Sequence, residues 1–177
     1  MRGPHPTLAT ALPLLAFAAI LLASTARAHV TLEQPEAAAG STYKAVLRVG
    51  HGCDGSPTVA IRVRIPDGMI AVKPMPKPGW QLATRVEPYP EPVRYFESTL
   101  TEGVREIAWT GGELPDEWYD EFVFRGRLPD APAGTVLWFP VVQECAAGVN
   151  RWIEIPAEGR SADDYAEPAP GLTLTGQ

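Results

Sequence analysis

The chain has 177 residues, and its 15 basic and 21 acidic side chains give a formal net charge of −6 at pH 7. This acidic balance excludes the basic stripe that phosphate backbones require, so we expect no nucleic-acid partner. The length suits one domain with its own core rather than several domains.

The first 28 residues have the pattern of a secretory signal. Arg2 supplies positive charge, residues 11–23 form an apolar run too short to span a bilayer comfortably, and Ala26-Arg27-Ala28 is typical of a cleavage site. We expect residues 1–28 to be removed, with an uncleaved signal anchor as the alternative. The mature protein would then begin at His29 and be periplasmic or secreted, without a stable membrane anchor.

Residues 29–157 are predicted to form one all-β domain, an antiparallel β-sandwich of the Greek-key, immunoglobulin- or cupredoxin-like kind. Prolines are scattered, and short alternating apolar runs recur, most clearly in Thr58–Ile65, where Ile61 and Val63 would face the core and Arg62 would face water. Further strands are predicted at Val30–Glu33, Thr42–Val49, Trp80–Val86, Val93–Thr99, Arg105–Trp109, Glu121–Arg127, Thr135–Val142 and Arg151–Ile155. Turn signals separate them at Pro66-Asp67-Gly68, Pro76-Lys77-Pro78-Gly79, Gly111-Gly112 and Pro132-Ala133-Gly134.

The last segment, residues 158–177, is polar and rich in proline and small residues. Such a composition offers few large apolar groups for a packed element. We therefore expect a loose polar tail after the domain.

Cys53 and Cys145 are the two cysteines of the chain. In an oxidising compartment the default expectation is one disulfide. A thiolate site for reduced copper remains open, because soft sulfur ligands favour that ion.

Cleavage before His29 would expose a histidine whose α-amine and Nδ1 can bind one metal together. The α-amine has a pKa of about 7.7 to 8.0, so a metal displaces its proton more easily than that of a lysine. Copper(II) prefers tetragonal nitrogen and oxygen sites and stands at the top of the divalent affinity order. A first residue left by cleavage without any metal role is the alternative interpretation.

Several short motifs accompany this histidine in a characteristic order, and together they cover nearly the whole mature chain. They are His29-Val30-Thr31-Leu32-Glu33-Gln34-Pro35, Ala39-Gly40-Ser41, His51-Gly52-Cys53-Asp54-Gly55-Ser56-Pro57-Thr58, Ile65-Pro66-Asp67-Gly68, Pro78-Gly79-Trp80, Trp109-Thr110-Gly111-Gly112, residues 122–128, and Phe139-Pro140-Val141-Val142-Gln143-Glu144-Cys145 with Trp152 beyond. In this the chain resembles the YcnI-like copper-binding domain family. The resemblance implies a β-sandwich that binds copper(II) through a single-histidine brace at the amino terminus, with a nearby acidic ligand and a tryptophan close to the metal.

The resemblance places His29 in the brace and matches Trp152 to the tryptophan beside the metal. Core packing is the alternative for Trp152, and Trp109 and Trp80 fit that role better.

The acidic ligand carries over less directly, because the His-Gly-Cys-Asp turn stands where some members have a glutamate. His51 ranks first as a substitute ligand, followed by Asp54 or Glu144. The alternative for His51 is a hydrogen-bonded loop histidine beside a disulfide. If Cys53 pairs with Cys145, the crosslink would tie the His51 turn to the strand end that carries Glu144.

The function implied by the resemblance is copper scavenging, buffering or delivery without turnover of a substrate. The expected partner is the copper ion, with a copper importer or a cuproenzyme assembly factor as its recipient. A copper monooxygenase is one rival, and it needs a second brace histidine, for which only His51 is available. A metal-free adhesion or assembly module is the other.

Overall fold

The computed structural model describes residues 29–176, and almost all regular structure in that range is β-strand. The signal peptide expected over residues 1–28 lies outside the described residues. No helix in the described range is long and apolar enough to cross a membrane. The strands are β1 (Thr31–Leu32), β2 (Glu36–Ala38), β3 (Thr42–Val49), β4 (Thr58–Arg64), β5 (Ile70–Pro74), β6 (Gln81–Tyr95), β7 (Ser98–Leu114), β8 (Asp120–Arg127), β9 (Val136–Trp138), β10 (Val141–Cys145), β11 (Val149–Trp152) and β12 (Gly171–Thr175), and a 3-10 helix spans Ala162–Asp164.

Three sheets build the fold. One has the strand order β1-β3-β8-β5, the second β11-β10-β4-β7-β6 and the third β2-β12-β9. All pairings are antiparallel except that of β2 with β12. The core includes Leu47, Ile61, Trp109 and Phe122, which have no exposed surface. This arrangement confirms the predicted antiparallel β-sandwich.

The alternation of apolar and polar side chains predicts the bounds of the two central strands, β3 and β4. Strand β3 has the predicted bounds Thr42–Val49, and β4 ends one residue before the predicted Ile65. In β4, Ile61 and Val63 are fully buried while Arg62 is half-exposed, because successive side chains of a strand point to opposite faces.

Strands β6 and β7 form one long hairpin that differs from the predicted elements. The predicted strand Val93–Thr99 is wrong, because the chain turns at Phe96, which has a φ of +51°. The predicted turn at Gly111-Gly112 is also wrong, since both glycines lie within β7. A side chain at Gly112 would collide with the indole of Trp80, so this glycine permits close packing rather than a reversal.

The predicted strand Thr135–Val142 is divided into β9 and β10. The break falls at Phe139-Pro140, where Phe139 is fully buried and proline has no backbone N–H to donate. Because of this break, β9 pairs with β12 while β10 pairs with β4. One apolar run therefore contributes to two sheets.

The expected loose tail over residues 158–177 is wrong for its second half. Strand β12 lies between β2 and β9, and Leu172 and Leu174 are fully buried in the core. Two leucines at alternate positions give a short strand one apolar face, which is enough when two neighbouring strands complete its hydrogen bonds.

Candidate metal centre

His29 precedes β1 and is held to the sandwich by its neighbours. Val30 and Leu32 are buried in the core, so the chain leading from His29 is fixed in place. The Nε2 atom of His29 is buried and has no hydrogen-bond partner. A buried polar atom without a partner costs about 1–3 kcal/mol and is uncommon in native proteins, so it needs an explanation.

Trp152, at the end of β11, contacts the His29 imidazole. The two ring centroids are 5.4 Å apart and the planes meet at 74°, an edge-to-face arrangement. Trp152 is only 6% exposed and belongs to the same core cluster as Val30 and Leu32. The structure thus gives Trp152 a core position and a place beside His29 at once.

Gln143 in β10 fixes the indole of Trp152. Trp152 Nε1 donates to Gln143 Oε1 at 3.0 Å, and Gln143 Nε2 donates to the carbonyl oxygen of His51 and to Thr58 Oγ1, both at 2.7 Å. Gln143 was not among the predicted site residues. The available signal was a polar side chain at the inward position between Val141 and Cys145, which predicts a buried group that needs partners.

The turn after His51 is crosslinked to β10. Cys53 and Cys145 form a disulfide with a Cα–Cα distance of 6.0 Å, which confirms the expected disulfide and leaves no thiolate for the alternative copper site. The Gly52 N–H donates to Asp116 Oδ1 at 2.8 Å. His51 itself is half-buried, and its Nδ1 lies within hydrogen-bond distance of the Gly52 carbonyl oxygen.

The ligand candidates other than His29 and Trp152 are not gathered around a metal position. Within residues 29–176, no group of three or more His, Cys, Asp or Glu side chains is placed to hold a metal ion. Asp54 is exposed in the disulfide turn with a φ of +48°. Glu144 alternates with Gln143 along β10 and therefore faces the other side of the sheet, where it pairs with Arg62 at 2.7 Å.

An open cavity of about 450 Å³ adjoins His29. Its walls come from β1, from β9 and from the segment predicted to be a loose tail. The lining residues are His29, Val30, Thr31, Leu32, Pro35, Val136, Trp138, Ala162, Asp163, Pro168, Ala169, Pro170, Gly171 and Thr173. Asp163 is the one carboxylate among these lining residues, and neither His51 nor Asp54 is one of them.

The 3-10 helix presents Asp163 at the edge of this cavity. Ser161 and Asp164 form a capping box, and Asp164 also pairs with Arg160 at 2.9 Å. The Asp163 side chain is exposed and takes no part in these contacts, although its backbone N–H donates to Ser161 Oγ. One histidine and one aspartate, whose carboxylate is engaged in neither the cap nor the ion pair, thus line the same cavity.

Comparisons with known proteins agree with this architecture. A family model described as a domain of unknown function, DUF1775, matches residues 29–174. Among solved structures, the chain is similar to an uncharacterized protein from Nocardia farcinica whose structure is described as an immunoglobulin-like fold. The two chains are 27% identical, the match covers 83% of this chain and 98% of the other, and the TM-score is 0.61. No curated protein gives a significant match.

Proposed function

Since the chain belongs to the DUF1775 family, of which YcnI is a member, we propose that it is an exported copper(II)-binding protein that scavenges, buffers or delivers copper. The observation that carries the proposal is the position of His29. It follows an expected cleavage site directly, it is the first residue of the family match, it lines a cavity, and its ring contacts Trp152.

The proposed brace consists of the His29 α-amine and the His29 Nδ1. Removal of residues 1–28 would free the α-amine, and chelation by two nitrogens of one residue suits a copper(II) ion. Nδ1 is the ring nitrogen that can close a chelate ring with the α-amine of the same residue, and the burial of Nε2 supports this choice. When bound, copper(II) would be held as cargo, with no turnover of a substrate.

The acidic ligand in this proposal is Asp163. A carboxylate oxygen beside two nitrogens is a donor set that copper(II) accepts. Asp163 lines the cavity of His29, whereas Glu144 is paired with Arg62 on the other face of its sheet. Trp152 would exclude water from one side of the ion.

The decisive experiment is a copper(II) titration of protein that begins at His29, followed by electron paramagnetic resonance, beside protein with one extra residue ahead of His29. The extra residue turns the α-amine into a peptide nitrogen, so we expect a single tetragonal site in the first protein and its loss in the second. Equal binding by both proteins would refute the brace.

The same titration tests the oxygen ligand with a matched pair of variants. Asp163→Asn should weaken copper(II) binding, because it removes the negative charge from the cavity wall, while Asp54→Asn in the exposed disulfide turn should leave binding unchanged. Weaker binding by Asp54→Asn with unchanged binding by Asp163→Asn would instead assign the oxygen ligand to Asp54, in the turn after His51.

A further inference from the structure

We propose that Gln143 is a positioning residue for the site at His29, acting through the indole of Trp152. Its effect on metal binding rests on the proposed copper function. Its effect on the ring contact between His29 and Trp152 belongs to the metal-free protein and does not depend on that function.

The side-chain amide of Gln143 has partners from three separate elements. Its oxygen accepts from Trp152 in β11, and its nitrogen donates to Thr58 in β4 and to His51 in the disulfide turn. Both amide hydrogens are thereby used. Because rotation of the amide would break all three bonds, Gln143 has one favourable orientation.

Packing alone does not explain a glutamine at this position. Gln143 is 1% exposed, and its inward neighbours on β10 are Val141 and Cys145. Burial of an amide is unfavourable unless its hydrogen bonds are made, and an apolar side chain would avoid that requirement. The polar side chain is instead matched to the indole N–H, which fixes the direction of the Trp152 ring.

The indole in turn limits the imidazole of His29. The ring centroids are 5.4 Å apart, and no hydrogen bond holds the buried Nε2, so the contact with the indole limits the orientation of the imidazole. A displaced indole would leave the imidazole free to rotate and would move Nδ1 away from the position that a brace requires.

The turn that holds His51 is anchored by the same network. Cys53 lies two residues after His51, and its disulfide partner Cys145 follows Gln143 in β10 by two residues. Thr58 Oγ1 lies 3.9 Å from Cys145 Sγ. His51 therefore contributes through its backbone carbonyl, as a support for Gln143.

The first test uses nuclear magnetic resonance on the metal-free protein beginning at His29. The readouts are the Overhauser contact between the His29 and Trp152 rings and the solvent exchange of the Trp152 indole N–H. Gln143→Leu should weaken the contact and speed the exchange, because the acceptor is lost. Glu144→Gln, a change on the outward face of the same strand, should alter neither.

Gln143→Glu is the conservative variant for this test. Its carboxyl oxygen can still accept from the indole, but it lacks the two amide hydrogens, so the ring contact should fall between those of wild type and Gln143→Leu. If Gln143→Leu does not fold, a weaker contact in Gln143→Glu than in Glu144→Gln supports the proposal. An unchanged contact in the Gln143 variants that fold would overturn it.

The second test measures copper(II) affinity in a double-mutant cycle with Trp152→Phe. Gln143→Leu should weaken binding by roughly 10- to 100-fold, the usual effect of losing a group that orients a ligand. In the Trp152→Phe background the same change should have much less effect, because the indole through which Gln143 acts is gone. An equal loss in both backgrounds would overturn the proposed route. If the wild-type protein binds no copper, the copper proposal fails, and the metal-free test still decides the role of Gln143.

Discussion

The tryptophans of this domain show how one residue type takes different roles according to its contacts. Trp109 is fully buried, and its Nε1 donates to the Met75 carbonyl oxygen at 3.0 Å, as suits a core residue. Trp80 packs edge-on against Phe122. Trp152 shares the core with them but alone among the three contacts His29 within the described residues. The neighbour of each indole, rather than its burial, separates the candidate site from the core.

Tyr43 carries a prediction about stability at alkaline pH. Its hydroxyl donates to the Gln34 carbonyl oxygen at 2.6 Å, and burial, with a smaller effect of Glu33, raises the pKa of Tyr43 to about 12 from an ordinary 10.0. The folded state thus favours the neutral phenol. This contribution to stability is complete below pH 10 and is lost as the pH rises towards 12.

The expected loss is about 2 to 3 kcal/mol of unfolding free energy, because each unit of pKa shift corresponds to about 1.4 kcal/mol. Urea denaturation at a series of pH values should show this fall between pH 10 and 12. Tyr43→Phe should remove that part of the pH dependence, since phenylalanine has no proton to lose. The same alkaline fall in both proteins would assign it to other groups.

Strand β12 packs against the core, although the polar composition of residues 158–177 gives no sign of it. Its backbone is joined to both neighbours, with the Thr173 N–H donating to the Pro35 carbonyl oxygen and the Leu174 N–H to that of Thr135, both at 2.8 Å. It also contributes Gly171 and Thr173 to the cavity beside His29. The end of the described chain is therefore part of the candidate site.

Leu172→Ala should lower the unfolding free energy by about 2 to 5 kcal/mol, because it leaves a cavity at a fully buried position. Thr175→Ala, at an exposed position of the same strand, should change it by no more than about 0.5 kcal/mol. Urea denaturation of the two variants beside wild type measures the difference. Equal small effects would mean that β12 is not docked in solution.

At the scale of the whole molecule, the Cys53–Cys145 disulfide joins positions 92 residues apart in the sequence. A crosslink that closes a long loop restricts the unfolded chain, and removal of a native disulfide typically costs about 2–5 kcal/mol. Reduction of the wild-type protein should therefore lower its urea midpoint. The Cys53→Ala/Cys145→Ala variant should start from the lower value and not respond to reductant. If reductant also lowers the urea midpoint of that variant, the effect does not come from breaking this disulfide.

The sequence predicted the overall architecture well because strand alternation is a local property. The bounds of β3 and nearly all of β4 follow from single alternating runs. It failed where neighbours decide the outcome: the two halves of the predicted strand Thr135–Val142 pair with different strands, β12 and β4, and Gly112 is explained by the ring of Trp80. The partner strands and the ring of Trp80 lie too far along the chain from these residues to be inferred from the local pattern.

The candidate site was likewise predicted from the sequence only in part. The sequence by itself determined the all-β class and the position of His29 directly after an expected cleavage site, since composition, alternation and chain order are enough for these, and it gave one disulfide as the default expectation for the two cysteines. Only the tertiary structure decided that Gln143 holds Trp152 beside His29, that Glu144 faces away, and that the 3-10 helix brings Asp163 to the cavity. Most of these contacts join residues from distant parts of the chain, such as His29 and Trp152, and tertiary packing selects them.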